Sequence, residues 1–302
     1  MYTQFFGNFL LNNKVVNPDQ LLDLMTAQQK AHIKLGTLAI HEGYMTADEV
    51  DSIIIMQTHE DKMFGELAVE MGYLTPGQLE TLVGKQIPDY LLLGQLLVEK
   101  GYCTNAEFEN LLLKYQSENE LASLEQRNAD RNNVFKIIMN YCGSAKDPMS
   151  ESTTGFLNLF FNNLIRFIGD DFTVLSLQKI DSVEGRHIVS QEITGYAHYL
   201  LMLELEERTA LDFANRYAKE DFSQYGEDAE EFISASLEDF LNLHNGLYLV
   251  NLGPHSEGLS LQPPYTKHDE NLSMGEGTYM LPIMYPFGTV HLIFRAEETA
   301  DK

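Results

Sequence analysis

The residues with the clearest chemical pattern are one carboxylate and two side-chain amides, Glu238, Asn242 and Asn245, within residues 227–251. At 3.6 residues per turn they fall on one side of a helix, opposite an apolar stripe broad enough to pack against a sheet. Asn is a poorer helix former than the Lys and Glu that usually cover a solvated face. The pattern therefore predicts a helix that presents a short line of hydrogen-bonding groups outward. A plain amphipathic helix that ends near Gly246 explains the same residues and stays open.

The other residue types that carry chemistry form no recognisable site in the sequence. Cys103 and Cys142 belong to no CxxC or Cys/His cluster, and no Gly-rich phosphate loop or G-x-S-x-G motif is present. The histidines lack the H-x-H or His/carboxylate spacing of a metal site. The predicted strands hold His187, His198 and His291, and the predicted loops hold His255 and His268. We therefore expect no metal and no cofactor of the protein's own.

Composition narrows the class of protein. The chain has 302 residues, enough for two domains, and its formal net charge is -25. That charge argues against general nucleic-acid binding and against adhesion to an anionic membrane, because both need Lys/Arg patches. No apolar run is long enough for a spanning helix, and the first residues lack the features of a signal peptide. With two unclustered cysteines, these features predict a cytoplasmic protein with reduced thiols.

The N-terminal part contains an internal repeat. Gly7, Gly36, Gly65 and Gly94 are each 29 residues apart, as are the residues that open four predicted capping boxes: Asn17, Thr46, Thr75 and Thr104. Each unit predicts two short helices, and the first ends where Gly43, Gly72, Gly101 or, in the first copy, Lys14 stands. We expect the repeated glycines to allow close helix packing, since Gly inside a helix needs a reason. Residues 1–116 are thus predicted to form four helical hairpins, an arrangement typical of interaction scaffolds.

These repeats resemble the N-terminal domain of type II secretion and type IV pilus ATPases, called MshEN. The family's pattern is roughly R-L-G-x-x-L followed by a helix that closes with Gln, and the repeats match it at their recurring glycine and at Gln28, Gln57 and Gln86. Some members of that family bind cyclic di-GMP through a basic residue before L-G. Of the four residues in that position only Lys34 is basic, and a nucleotide with two phosphates needs cationic partners. The sequence therefore disfavours cyclic di-GMP as a ligand.

Residues 117–149 predict a polar helical connector, and residues 150–302 predict a second domain. Its predicted order is a helix at 156–168, strands at 171–177, 187–194 and 197–204, helices at 207–219 and 227–251, and strands at 258–261, 279–283 and 289–294. Runs of strands beside runs of helices favour an α+β domain in which helices pack on an antiparallel sheet.

This order and the polar stripe resemble the CheC/CheX/FliY family of chemotaxis phosphatases. The family motif, (D/S)-x-x-x-E-x-x-N, falls on Glu238, Asn242 and Asn245, with Pro263 and Pro264 near the family's proline. Asn242 stands where the family has a glutamate. A second register pairs Ser234 with Glu238 but puts Leu241 in the asparagine position. We prefer the first register because its three side chains share one face.

The resemblance implies a domain that docks on a phosphorylated, CheY-like receiver domain, whose divalent metal binds the phosphoryl group. In the family the asparagine orients a water for attack on the aspartyl-phosphate, and the glutamate contacts a lysine of the receiver. Carried over, Asn245 orients the water, and Glu238 partly replaces the charge that Asn242 lacks.

Three functions follow as alternatives. The first is an aspartyl-phosphate phosphatase of two-component or chemotaxis signalling. The second is a signalling adaptor whose CheX-like domain has lost catalysis, and the third is a cyclic di-GMP sensor built on the repeats. The oligomeric state is open, and a homodimer is one of the arrangements that the sequence allows.

Overall fold

The computed structural model describes residues 6–28, 31–60, 62–84, 89–126 and 150–298, with the side chains of 89, 118–126, 227 and 298 left undescribed. The chain divides into two compact units, Met1–Arg131 and Asn132–Lys302. The first contains only helices among its described residues, and the second combines helices with a sheet. Most of the predicted connector lies outside the described residues, so its boundaries stay a prediction.

The helices of the N-terminal unit are short and recur regularly. They are α1 Phe6–Asn12, α2 Pro18–Gln28, α3 Leu35–His41, α4 Ala47–Gln57, α5 Phe64–Glu70, α6 Pro76–Val83, α7 Asp89–Glu99 and α8 Asn105–Gln126. The even-numbered helices therefore each begin 29 residues after the previous one. The MshEN-like grouping of these helices stays a prediction.

The local signals that end and begin these helices are confirmed. Left-handed backbone follows α1, α3, α5 and α7 at Lys14, Gly43, Gly72 and Gly101, with φ between 55° and 76°. Reciprocal capping hydrogen bonds precede the even-numbered helices, as predicted. The pairs are Asn17 with Gln20, Thr46 with Glu49, Thr75 with Gln78 and Thr104 with Glu107.

Close packing at three of the repeated glycines is also confirmed. A β-carbon on Gly36 would lie 2.9 Å from Val50, and one on Gly65 would lie 2.8 Å from Leu79. On Gly94 it would overlap the ring of Phe108. Each glycine therefore allows the first helix of a pair to approach the second more closely than any other residue would.

The C-terminal unit is an α+β domain built on an antiparallel sheet, as predicted. Its helices are α9 Glu151–Phe167, α10 Glu207–Ala218 and α11 Ala229–Leu252. Its strands are β1 Thr173–Val174, β2 Gln178–Lys179, β3 Ser182–Thr194, β4 Ala197–Leu205, β5 Ser260–Leu261, β6 Tyr265–Ser273, β7 Tyr279–Tyr285 and β8 Gly288–Glu298. The sheet runs in the order β1-β7-β8-β4-β3-β5, while β2 also pairs with β7 and β6 also pairs with β3.

Strand β6 was not predicted, and the placement of His268 in a loop was wrong. The segment is polar and mostly exposed, because it lies at the edge of the sheet beyond β3. An edge strand of this kind carries little of the apolar alternation by which strands are recognised. Its pairing with β3 sets His268 directly opposite His187.

The core of this unit lies between the sheet and its helices. Helix α11 packs on β3 and against α9 and α10. Phe240 at its centre contacts the rings of Phe160 in α9 and Phe213 in α10, with centroids 5.8 and 5.2 Å apart. A smaller apolar cluster, which includes Ile188 and Met202, adds to the core. Helix α11 is therefore held on several sides and presents a defined face to β3.

Candidate functional site

The residues at the two ends of helix α11 explain where it begins and where it stops. Glu230 and Glu231 occupy its first turn, where negative charge favours the helix dipole. The helix passes Gly246 without ending and stops at Gly253, whose φ is 55°. The alternative of a helix that ends near Gly246 is thus wrong, and both asparagines lie well inside the helix.

The predicted outward line of polar groups is wrong for Asn245. Its side chain is only 1% exposed, and its Nδ2 donates to Oε1 of Gln191 on β3 at 2.9 Å. Conversely, Val250, which the helical wheel places on the apolar stripe, is 75% exposed. The helix is rotated relative to the prediction: it buries Leu237, Leu241 and Tyr248, which lie beside the predicted stripe, together with Asn245.

Gln191 connects both asparagines to the sheet. Its Nε2 donates to Oδ1 of Asn242 and to the backbone oxygen of Gln262, each at 2.9 Å. Gln191 itself is buried, whereas Asn242 is exposed. Since Asn242 Oδ1 is held by Gln191, its Nδ2 is the group that faces the surface. The three amides form a network that fixes one exposed amide at a defined place.

Glu238 also belongs to the contact between helix and sheet. Its Oε1 accepts a hydrogen bond from Thr266 Oγ1 on β6 at 2.7 Å, and its side chain is half-buried. Among the three residues predicted as catalytic, only Asn242 is therefore exposed. The network joins Asn242 to Asn245 through Gln191 and leaves Glu238 outside it.

The sequence prediction missed Asp239, an exposed carboxylate one turn before Asn242 on the same helix. Asp239 and Asn242 are three residues apart and so are neighbours on the helix surface. Tyr217 OH donates to Asp239 Oδ2 at 2.7 Å. Burial, together with the bond to the Asp239 carboxylate and its charge, raises the pKa of Tyr217, so the phenol keeps its proton and remains a donor. The signal available in the sequence was the D-x-x-N spacing.

His244 lies beside these residues on the helix but faces the core. It is fully buried between Phe156 and Phe160, with ring centroids 4.6 and 5.5 Å away, and its Nδ1 is 3.4 Å from Asn163 Nδ2. Burial lowers the pKa of His244 to about 3. A neutral imidazole with no access to the surface takes no part in proton transfer to a partner.

A cluster of potential metal ligands lies at the other end of the same helix. His187 on β3, His268 on β6 and Glu230 in the first turn of α11 each offer one ligand atom, and these atoms lie within 4.8 Å of one another. The sequence spacing hid this cluster because strand pairing, not proximity along the chain, brings the two histidines together.

In the N-terminal unit the single basic residue of the MshEN-like positions is already paired. Lys34 Nζ lies 2.8 Å from Glu99 Oε1, at a cleft of about 380 Å³ that Gln57 and Gln95 also line. Gln57 donates to the backbone oxygen of Lys62, and Gln86 lies outside the described residues. The pairing of Lys34 with a carboxylate weakens the case for an anionic ligand there.

Within the part of the chain that the structure describes, none of the helices combines the length and the apolarity that crossing a membrane requires.

Comparisons with known proteins find similarity in structure only. No family model matches the chain, and a search of curated proteins gives no significant match. A chain of the CheX–CheY–BeF3–Mg2+ complex from Borrelia burgdorferi is similar at 17% identity and a TM-score of 0.43, over 49% of this chain and 99% of that one. A CheX from Desulfovibrio desulfuricans is similar at 13% identity and a TM-score of 0.40, over 49% of this chain and 100% of that one. A CheC-like superfamily protein from Shewanella sp. PV-4 is similar at 16% identity and a TM-score of 0.40, over 49% of this chain and 99% of that one. At such identities and TM-scores the likeness carries no argument about the family, the activity or the partner of this chain.

Proposed function

We propose that the C-terminal unit docks on a phosphorylated receiver domain through the exposed turn of α11 and promotes hydrolysis of its aspartyl-phosphate. The observation that carries this proposal is the fixed amide of Asn242, which is exposed while its Oδ1 is held by buried Gln191. An amide whose only role is to keep the helix surface hydrated does not need a hydrogen bond from a buried side chain to hold it in place. The resemblance of the helix to the CheC/CheX/FliY motif names the substrate class.

The proposed chemistry is positioning of a water. Asn242 Nδ2 donates to the water oxygen and directs its remaining lone pair at phosphorus, in line with the aspartyl oxygen. The water oxygen bonds to phosphorus, the bond from phosphorus to the aspartyl oxygen breaks, and free aspartate and inorganic phosphate result. The divalent metal belongs to the receiver and neutralises the phosphoryl oxygens. The rate gain comes from orientation, so the rigidity of Asn242 matters.

The structure changes the roles proposed from the sequence for the other two residues. Asn245 is buried, so it acts as a positioning residue that holds Gln191 and, through it, Asn242. Glu238 holds Thr266 of β6 and supports the helix from the other side. Asp239 is the exposed carboxylate beside Asn242, and we assign to it the contact with a cationic group of the receiver.

The first test compares dephosphorylation by wild-type protein and by variants of the exposed turn. Incubated with CheY-like receivers phosphorylated by acetyl phosphate, wild type should shorten the lifetime of the aspartyl-phosphate. Asn242→Ala should reduce the rate constant of dephosphorylation at saturating protein by about 10²-fold, as removal of one oriented donor does elsewhere. Asn245→Ala should also reduce this rate constant, with little change in affinity for the receiver.

Asn251→Ala is the matched control, because Asn251 is exposed on the same helix away from Gln191. It should behave as wild type, and Asp239→Asn should weaken affinity more than the rate constant at saturation. Equal dephosphorylation by wild type and Asn242→Ala would overturn the proposal.

A non-catalytic adaptor is the second candidate function. The observation that favours it is the motif register set out from the sequence, in which Asn242 stands where the resembled family has a charged glutamate. An adaptor would bind a receiver activated with beryllofluoride, and Asp239→Asn would weaken that binding, yet wild type would leave the lifetime of the aspartyl-phosphate unchanged. The same set of variants therefore separates the two functions.

A further inference from the structure

The ligand cluster at the start of α11 has a defined geometry. His187 and His268 face each other as a cross-strand pair of β3 and β6, with ring centroids 4.9 Å apart and planes at 86°. His268 Nδ1 lies 3.3 Å from Glu230 Oε1. Two imidazoles and one carboxylate thus converge from three separate elements, two of which are paired strands of the sheet.

One atom of this cluster lacks the partner that its burial requires. His187 is only 5% exposed, and its Nδ1 is buried without a hydrogen bond to any described residue. An unsatisfied buried polar atom costs about 1–3 kcal/mol, so such atoms are rare in native proteins and call for an explanation. A metal bound to His187 through Nδ1 would satisfy that atom.

We propose that His187, Glu230 and His268 bind a divalent transition metal of the Zn2+ class. Two imidazole nitrogens and one carboxylate oxygen suit Zn2+ and its neighbours, whereas Mg2+ and Ca2+ prefer oxygen ligands alone. Bonds of about 2.0–2.1 Å in a tetrahedral site place ligand atoms roughly 3.3 Å apart. His268 Nδ1 and Glu230 Oε1 already lie at this distance. The three ligand atoms lie within 4.8 Å of one another, and rotation of the exposed side chains of His268 and Glu230 brings them to the tetrahedral spacing.

Three protein ligands leave a fourth position open, as in sites that bind water or a further ligand. The cluster lines a cavity of about 790 Å³, which Arg186 and Arg208 also line together with Glu206 and Glu207. The three ligands therefore lie at the edge of a polar cavity. The net charge of -25 raises the local concentration of cations around the protein, which favours occupancy.

The experiment uses the untagged full-length protein, since a histidine tag would bind the same metals. After removal of metal with EDTA and dialysis, Zn2+ is titrated against a chromogenic chelator to count equivalents and measure affinity. Wild type should bind one Zn2+ per chain. His268→Ala and Glu230→Gln, both at exposed side chains that tolerate substitution, should each weaken that binding at least tenfold.

His198→Ala is the matched control, because His198 is paired with Glu192 at 3.0 Å on the same sheet but has no third potential ligand beside it among the described residues. It should bind Zn2+ as wild type does. Replacement of Zn2+ by Co2+ should give visible absorption bands of a four-coordinate site in wild type and lose them in Glu230→Gln. No stoichiometric binding by wild type, or equal affinity in wild type, His268→Ala and Glu230→Gln, would overturn the proposal.

Discussion

At the scale of single residues, Gln191 determines how the candidate site is built. It is a buried polar side chain on β3 that accepts from Asn245 and donates to Asn242 and to the backbone of Gln262. A buried amide costs free energy unless its groups are paired, and here α11 supplies two of the partners. The same pairing that satisfies Gln191 fixes Asn242 at the surface.

His244 makes the stability of the C-terminal unit depend on pH. Burial lowers its pKa to about 3 in the folded protein, against an ordinary value of 6.5. Below pH 6.5 the unfolded chain binds a proton that the folded protein does not, so the free energy of unfolding falls as the pH decreases from 6.5 to about 3. Between pH 7 and pH 5 this loss amounts to about 2 kcal/mol.

We expect His244→Phe to remove that loss. The ring would remain among Phe156 and Phe160, and no group would titrate there. Urea unfolding at pH 7 and pH 5 should show a smaller decrease for the variant than for wild type, by about 2 kcal/mol. Exposed carboxylates and histidines contribute equally to both proteins, so the difference isolates His244. The same decrease in wild type and variant would show that His244 does not titrate on unfolding.

At the scale of elements, the helical pairs of the N-terminal unit depend on glycines at their contacts. Gly94 of α7 meets the ring of Phe108 of α8, which is 1% exposed and has no room to move. Gly36 and Gly65 make the equivalent contacts with smaller side chains. Close helix packing thus explains why glycine recurs at each of these three positions.

We expect Gly94→Ala to destabilise the N-terminal unit. Overpacking costs about 1–3 kcal/mol, while the higher helix propensity of Ala returns up to about 1 kcal/mol, so a net loss of about 1–2 kcal/mol should appear in urea unfolding. Gly77→Ala is the matched control, because a β-carbon there meets no atom within 4 Å. Its free energy of unfolding should be unchanged or slightly higher. A Gly94→Ala variant as stable as Gly77→Ala would contradict the packing role.

Helices and strands could be predicted from this sequence where their signals are local. Capping boxes and left-handed helix ends depend on residues within one turn. The capping pair of Thr46 and Glu49 and the helix end at Gly43 could therefore be identified from neighbouring residues in the chain. Strand β6 was missed because an exposed edge strand has no apolar alternation. Asn245 was predicted on the outward face because the sequence of α11 does not reveal that β3 places a buried glutamine opposite it.

At the scale of the whole molecule, the dominant property is charge. A net charge of -25 on 302 residues places many carboxylates near one another, and this repulsion opposes the compact state. Several of the basic residues are already committed to ion pairs, such as Arg216 with Asp171 at 2.6 Å. The repulsion among the excess carboxylates can therefore be screened by salt.

We therefore expect NaCl to stabilise the protein. Raising the ionic strength from about 0.01 to 0.15 M shortens the Debye length from about 30 to 8 Å and weakens repulsion between surface carboxylates. The melting temperature at pH 7.5 should rise, by about 2–4 °C for each 1 kcal/mol gained. KCl at equal ionic strength should give the same rise, since the effect is screening rather than specific binding. A melting temperature that falls with salt would show that attractive ion pairs outweigh the net repulsion.

The sequence by itself determined the features that rest on local physics: the helix ends of the N-terminal unit, the close contacts at Gly36, Gly65 and Gly94, and the α+β class of the C-terminal unit. Only the tertiary structure decided which side chains meet. It buried Asn245, exposed Asp239 beside Asn242, and joined His187, Glu230 and His268. The physical reason is that these groupings depend on strand register and on the rotation of α11 against the sheet. Both are set by contacts between residues far apart in the chain.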